Sequence, residues 1–284
     1  MTRALVTGAA GIVGHYLVPR LREAGLDVHC VSRSVRDGGG VAWHVTDLAQ
    51  DGWHENLPPV DVVLHLAPLW LLPPALDGIR ALGAGRLIAF GSTSLHTKMD
   101  SPSAAERRLA ARLADAEAAL ARDAGRMAWT VFRPTMIWGG GLDRNISTIA
   151  RFIERFGFFP LAGRAPGLRQ PVHADDLAQA CMAALDRPAS HGCCLDLGGG
   201  EVLSYRDMVM RIFEALGRPP RPVRLPPGLF RALVSLAGPR TRLDPAMVDR
   251  MARDMVFDPE PARRIIGYAP RPFHPSRDDL GVGA

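Results

Sequence analysis

Three glycines near the start of the chain stand where a backbone can leave a strand, turn sharply and present open amides to an anion. Residues 2–14 read TRALVTGAAGIVG: a short apolar run, then Gly8, Gly11 and Gly14, then a helix-period stretch. Glycine permits the turn and lets backbone approach a ligand closely. Open N–H groups at a helix start, with the positive end of its dipole, favour a pyrophosphate. A strand before and a helix after this spacing point to a dinucleotide site; a bare helix-packing turn is the plain alternative.

The end of the second apolar run bears on which dinucleotide. A carboxylate there would accept hydrogen bonds from the ribose hydroxyls of NAD. The chain instead has Ser32, Arg33 and Ser34, with Arg36 just beyond. A guanidinium at that place pairs with a 2′-phosphate through charge-assisted bonds, so NADP(H) is favoured over NAD(H). An ordinary surface arginine is the alternative for Arg33.

Other chemistry-bearing residues carry less. His173-Ala174-Asp175-Asp176 lacks the spacing of a zinc helix, and Asp175 or Asp176 reads as a helix N-cap. Cys30, Cys181, Cys193 and Cys194 show no metal spacing and read as reduced thiols, consistent with cytoplasm. No metal is expected.

A chain of 284 residues, 47% hydrophobic and 22% charged, is large enough for one big domain or two small ones without staples. The first apolar run is interrupted by glycine, so no secretory leader is expected. Val62–Leu76 is apolar, but Pro68, Pro73 and Pro74 break it and it is too short to span a bilayer. The net charge of +5 is the balance of 34 basic against 29 acidic residues, and among the basic ones only Lys98 is a lysine. There is no basic run and aromatics make up 6%, which argues against nucleic acid and for small anionic partners.

Short β-branched runs alternate with helix-period stretches, the pattern of a doubly wound parallel sheet in an α/β fold. Strands are predicted near 3–7, 27–32, 41–45, 61–66, 86–90, 128–133 and 193–197. A first helix from about Gly11 to Ala24 should end at Gly25, with Pro19 kinking it or removing a hydrogen bond. A later helix begins with Ser103-Ala104-Ala105-Glu106, a capping-box spelling, and continues through Leu109, Leu113, Ala116 and Leu120. After about residue 139 the texture becomes loop-rich, with an aromatic stripe (Phe152, Phe156, Phe158, Phe159) that reads as core or pocket wall. Leu225–Ala237 reads as an amphipathic helix, either core of the small region or a surface for a partner or membrane. The division expected is 1–139 with 171–200 as the dinucleotide-binding domain, and 140–170 with 201–284 as a smaller substrate region.

Taken in order, TGAAGIVG, DVVLHLAP, FGSTS, FRPTMIWGGG, RQPVHADDLAQA, CCLDLGGGEVLSYRDM and FDPEPARRIIGYAPRPF resemble the short-chain dehydrogenase/reductase superfamily. The branch they resemble is the extended or atypical one, with NAD-dependent epimerase/dehydratase character. The resemblance implies a Rossmann domain and a small-molecule substrate, and it implies pairing of copies into a homodimer. It implies that Gly8, Gly11 and Gly14 hold the pyrophosphate, with Thr7, Ile12 and Val13 also in the cofactor-binding set. It places Asp47 and Leu48 near the adenine and Leu66, Ala67 and Pro68 along the groove, with Arg133 and Pro134 on the far strand. For Asp47 a turn or N-cap role stays equally open. Arg164 and Arg169 lie in the region that builds the substrate site of such enzymes, with a solvated face as the alternative.

Catalytic members of that superfamily use a Ser or Thr after the fifth strand and a Tyr-x-x-x-Lys pair on the next helix. Ser92 matches the serine, with Thr93 beside it. Glu117 resembles the glutamate one turn beyond the lysine, a register that puts Leu109 and Leu113 where tyrosine and lysine would stand. The tyrosines are Tyr16, Tyr205 and Tyr268, and no shift of register restores the pair. Losing a positioned acid–base group costs about 10²–10⁴ in rate. Within residues 92–98, His96 can move a proton near neutral pH and Lys98 can approach a ligand as a point charge; rim packing and solvation are their alternatives. Two functions follow: an oxidoreductase or epimerase/dehydratase-like enzyme, or a dinucleotide-binding redox sensor or assembly subunit without turnover.

Overall fold

The computed structural model describes residues 1–237 and 247–282. In chain order the elements are β1 (Arg3–Thr7), α1 (Ile12–Glu23), β2 (Asp27–Ser32), β3 (Ala42–Val45), β4 (Val62–His65), α2 (Leu72–Ala81), β5 (Arg86–Phe90), α3 (Ser94–Thr97), α4 (Ala104–Asp123) and β6 (Ala128–Pro134). There follow β7 (Ile137–Trp138), α5 (Ile146–Phe156), β8 (Phe159–Ala162), β9 (Leu168–Arg169), β10 (Val172–His173), α6 (Ala174–Leu185) and β11 (Cys193–Leu197). The last are β12 (Leu203–Ser204), α7 (Tyr205–Ala215), β13 (Pro222–Leu225), α8 (Pro227–Ala237), α9 (Met247–Ala252), α10 (Glu260–Ile266) and α11 (Arg277–Leu280).

Seven strands form one sheet in the order β11-β6-β5-β4-β1-β2-β3, every pair parallel. The chain winds outward one way through β2 and β3 and the other way through β4, β5 and β6. The reversal falls between β1 and β4, and at such a switch point the carboxyl ends of the strands open a crevice. β1, β4 and β5 are almost wholly buried, as strands covered on both faces must be. Leu72, Ala75, Leu76 and Ile79 of α2 and Leu113, Ala116 and Leu120 of α4 share one apolar core with them.

α1 runs unbroken through Pro19 and ends before Gly25, whose φ of +80° closes the turn. Arg20, one residue beyond the proline, holds Asp175 through Nε at 2.8 Å and Nη2 at 2.6 Å, tying α1 to α6. Asp175 and Asp176 therefore lie in the first turn of α6 rather than at its N-cap. Among the described residues no group of His, Cys, Asp and Glu is placed to hold a metal ion. No described helix is long and apolar enough to cross a membrane. All four cysteines are free thiols; burial pushes Cys30 up to about 12 and Cys194 up to about 11.

The chain divides into two compact units, 1–134 with 174–197 and 258–269, and 135–173 with 198–257 and 270–284. Residues 258–269, which carry α10, group with the sheet. The second unit has its own core, in which Phe159, Leu161, Ile149, Ile153, Val209, Ile212 and Phe213 are buried. Of the aromatic stripe, Phe159 is core while Phe156 and Phe158 reach solvent.

Candidate dinucleotide crevice and proton site

The first turn of α1 leaves its backbone amides uncapped by any side chain. Its N-cap is Gly11, with no side chain closing the amides. The turn is held by Gly11 N–H donating to Gly8 O at 2.9 Å. Gly8 has φ +70°, and a Cβ there would sit 2.5 Å from Ala67 N. A Cβ on Gly14 would collide with Ala9 O. The loop after β1 and the loop after β4 thus approach as closely as bare backbone allows. Both positions need glycine for a reason that can be measured.

A buried histidine braces this floor. His65, last residue of β4, has Nδ1 2.9 Å from Thr7 Oγ1 and Nε2 3.4 Å from Pro68 O. Only a hydrogen on Nε2 suits Pro68 O, so Thr7 donates to Nδ1. Burial pushes His65 down to about 4, which keeps the ring neutral near pH 7. Thr7 is thus a brace beneath the crevice. The signal for His65 was present in the sequence, one histidine closing an apolar strand, but its partner was not.

At the end of β2, Ser32 Oγ accepts from Ser34 N–H and from Arg36 Nε, each at 3.3 Å. Arg36 also lies over the Trp43 ring, 5.9 Å from its centroid. Arg33 and Ser34 are exposed beside them. Asp47 accepts from Ala49 N–H at 3.1 Å, the turn geometry that was one of its two readings. Leu48 and Ala67 are buried in the core cluster, while Leu66 is half-buried and Pro68 exposed.

The loop after β5 separates the four proposed reaction residues. Ser92 Oγ accepts from Ser94 N–H at 3.1 Å, which leaves its own hydrogen to donate. Thr93 is buried, and its hydroxyl donates to Pro134 O at 3.1 Å, so it is engaged in holding the loop to β6. Lys98 Nζ lies 3.3 Å from Glu106 Oε1, and Ser101 Oγ donates to Glu106 Oε2 at 2.7 Å. The capping box is consequently half made: Ser103 Oγ accepts from Glu106 N–H, but the Glu106 carboxylate serves Lys98 and Ser101. Lys98 is a staple between loop and helix.

His96 meets a charged cluster. Its Nε2 lies 3.3 Å from Asp196 Oδ2 at the end of β11 and 3.4 Å from Arg133 Nη1 of β6. Arg133 donates from Nε to both oxygens of Glu117, at 2.9 and 3.2 Å, and from Nη2 to Oε2. That pairing pushes the Arg133 guanidinium above its ordinary range. Arg133 and Pro134 are therefore structural partners of Glu117 and Thr93. Leu113 is buried in the core and Leu109 packs against it, so α4 presents an apolar seam at those two positions. Tyr205 and Tyr268 are buried and Tyr16 lies on α1.

Arg169 corrects an expectation. It is 2% exposed, and its Nη1 donates to Leu168 O and Arg253 O, both at 2.7 Å, and its Nη2 to Arg250 O. Three carbonyls hold Nη1 and Nη2 within its own unit, and the buried Nε has no hydrogen-bond partner, so the guanidinium is not available to a substrate. Arg164, in an exposed turn, carries no such engagement.

Residues 4–70 match the profile described as NAD dependent epimerase/dehydratase family, the branch that the motifs resemble. The chain is 29% identical over 263 residues to NADH dehydrogenase [ubiquinone] 1 alpha subcomplex subunit 9, mitochondrial, of Arabidopsis thaliana, covering 84% of this chain and 63% of that one. It therefore spans just under two thirds of that relative. It is 28% identical over 324 residues to 3-diazoavenalumate denitrifying reductase of a Streptomyces species, covering 98% and 99%. Among solved structures, MoeE5 in complex with UDP-glucuronic acid and NAD shares the fold with a TM-score of 0.74 at 22% identity, over 99% of this chain and 97% of that one.

Proposed function

We propose, from the match of residues 4–70 to the epimerase/dehydratase family and the open amides of the turn after β1, that this chain is an NADP(H)-dependent oxidoreductase of the epimerase/dehydratase-like type acting on a small organic substrate. The observation that carries it is the uncapped start of α1, backed by two positions, Gly8 and Gly14, that tolerate no Cβ. Gly11, Ile12 and Val13 would hold the pyrophosphate through backbone amides, and Leu66, Ala67 and Pro68 would flank it. Arg33, with Arg36 beside it, would take the 2′-phosphate, since no carboxylate stands at the end of β2. When bound, the nicotinamide supplies or accepts a hydride.

The chain's own residues supply the rest. Ser92 donates a hydrogen bond that polarises a carbonyl, and His96 holds the proton that a tyrosine would otherwise carry. Lys98 acts through the loop it staples. Arg164 is the remaining candidate for an anionic substrate group. The full-length match to a reductase supports this reading. The reading has two copies associating in the cytoplasm, in keeping with four free thiols, and light scattering checks the pairing.

A second reading has one observation behind it. The similarity to an NADH dehydrogenase alpha-subcomplex subunit, together with Leu109 and Leu113 in the α4 seam, favours a nucleotide-binding protein without turnover. Calorimetry with NADPH and NADH, followed by assays against carbonyl, imine and nucleotide-sugar substrates, separates the two. Turnover abolished by Ser92→Ala supports the enzyme; tight NADPH binding without turnover on any of these supports the second reading. No binding of either nucleotide at about millimolar concentration, weaker than roughly −4 kcal/mol, overturns both.

A further inference from the structure

One nitrogen of His96 is offered two incompatible partners. Nε2 faces Asp196 Oδ2 at 3.3 Å and Arg133 Nη1 at 3.4 Å. A carboxylate only accepts and a guanidinium only donates. Nε2 must carry hydrogen to bond Asp196 and a lone pair to bond Arg133. In the neutral ring these are opposite tautomers, with the basic nitrogen at Nδ1 in the first and at Nε2 in the second. Whichever neighbour holds the ring decides which nitrogen is the base.

The surroundings favour the carboxylate. Arg133 is already committed, with Nε and Nη2 on Glu117 and Nη1 3.7 Å from Asp196 Oδ1. Asp196 is thereby the point at which both β6 and α3 direct a donor. Its attraction for the ring strengthens when the imidazole gains a proton, while Arg133 then presents a like charge. Charged groups that face the ring include Asp196 from β11 and Arg133 from β6, with Glu117 from α4 behind the guanidinium. The His96 side chain is 38% exposed, so water can exchange protons with it.

We propose that Asp196 is a positioning residue that keeps hydrogen on His96 Nε2 and so makes Nδ1 the nitrogen that takes up and returns the proton. The inference rests on the oxidoreductase reading and deepens it: the Asp196 carboxylate of β11 and the His96 imidazole of α3 stand in for the phenol–ammonium pair absent from α4. In reduction of a carbonyl, the imidazolium Nδ1–H bond breaks and an O–H bond forms on the substrate oxygen. The carbonyl carbon gains a hydride from a dihydronicotinamide, the reductant, and water then returns a proton to Nδ1. Reduction of the carbonyl and oxidation of the dihydronicotinamide balance.

The test needs no substrate. In the full-length ¹⁵N-labelled protein, a long-range ¹H–¹⁵N spectrum resolves the ring nitrogens of the nine histidines, and His96→Gln identifies the signal of interest. At roughly pH 8.5, where an ordinary imidazole is neutral, wild-type His96 should carry its hydrogen on Nε2. Asp196→Ala should move the ring about threefold or more towards the Nδ1–H tautomer, the ratio that one hydrogen bond of usual net strength sets. Asp196→Asn, which keeps an accepting oxygen, should retain the wild-type form. A wild-type ring with hydrogen on Nδ1, or a tautomer ratio unchanged in Asp196→Ala, overturns the proposal. Calorimetry with NADPH on the same samples separates the failures. Loss of nucleotide binding in wild type defeats the functional reading, whereas binding with the wrong tautomer defeats the positioning role of Asp196 alone.

Discussion

The buried imidazole of His65 makes stability depend on pH in a way that can be isolated. The ring is wholly enclosed between Thr7 and Pro68, and burial lowers it from 6.5 to about 4. Below pH 6.5 the unfolded chain takes up a proton that the folded chain refuses until about pH 4. The unfolded state then binds more protons, so stability falls as pH falls through that window and is fully present above it. At about 1.4 kcal/mol per pH unit of displacement, the loss between those limits is about 3 kcal/mol. His65→Asn keeps an accepting and a donating group but cannot titrate there. Urea unfolding of both proteins across pH 4 to 8 gives two stability profiles, and their difference removes the other histidines, which are common to both. The difference should close by about 3 kcal/mol as pH falls from neutral towards 4. Parallel profiles would refute the reasoning, because a solvated or already charged His65 produces no such convergence.

Four further outcomes are expected. Gly8→Ala forces a Cβ towards Ala67 N at positive φ; it should cost about 1–3 kcal/mol in thermal unfolding and weaken NADPH binding in calorimetry. Arg33→Ala should lower NADPH affinity about tenfold, roughly one charge-assisted bond, and leave NADH affinity unchanged. Glu117→Ala leaves the Arg133 guanidinium half-buried without its main partner and should cost about 3–5 kcal/mol by denaturant titration. Lys98→Met removes a partly exposed ion pair, so its cost should stay below about 1 kcal/mol.

Much of the sheet unit was legible before any coordinates. Gly8 and Gly14 announce a backbone requirement, and the structure supplies the clashing atoms that enforce it. The β-branched runs became β1, β2, β5 and β11 at nearly the expected residues, because alternation and punctuation act over a few positions. Ser103 capped α4 as its type demands, and α4 itself holds neither a tyrosine nor a lysine.

Side-chain pairing was decided by the fold. Lys98, notable as the chain's one lysine, acquired a role only when α4 brought Glu106 beside it. Arg169 looked like an anion binder because its type allows that; three backbone carbonyls brought in by residues 250–253 and 168 claimed it. His96 and Asp196 are 100 residues apart, joined because β11 lies beside β6 at the sheet edge. The sequence by itself determined where the backbone must turn, cap and bury itself, since those demands are local. Which charges meet was left to the sheet order, which is set by burial summed over the whole unit and written in no single stretch of residues.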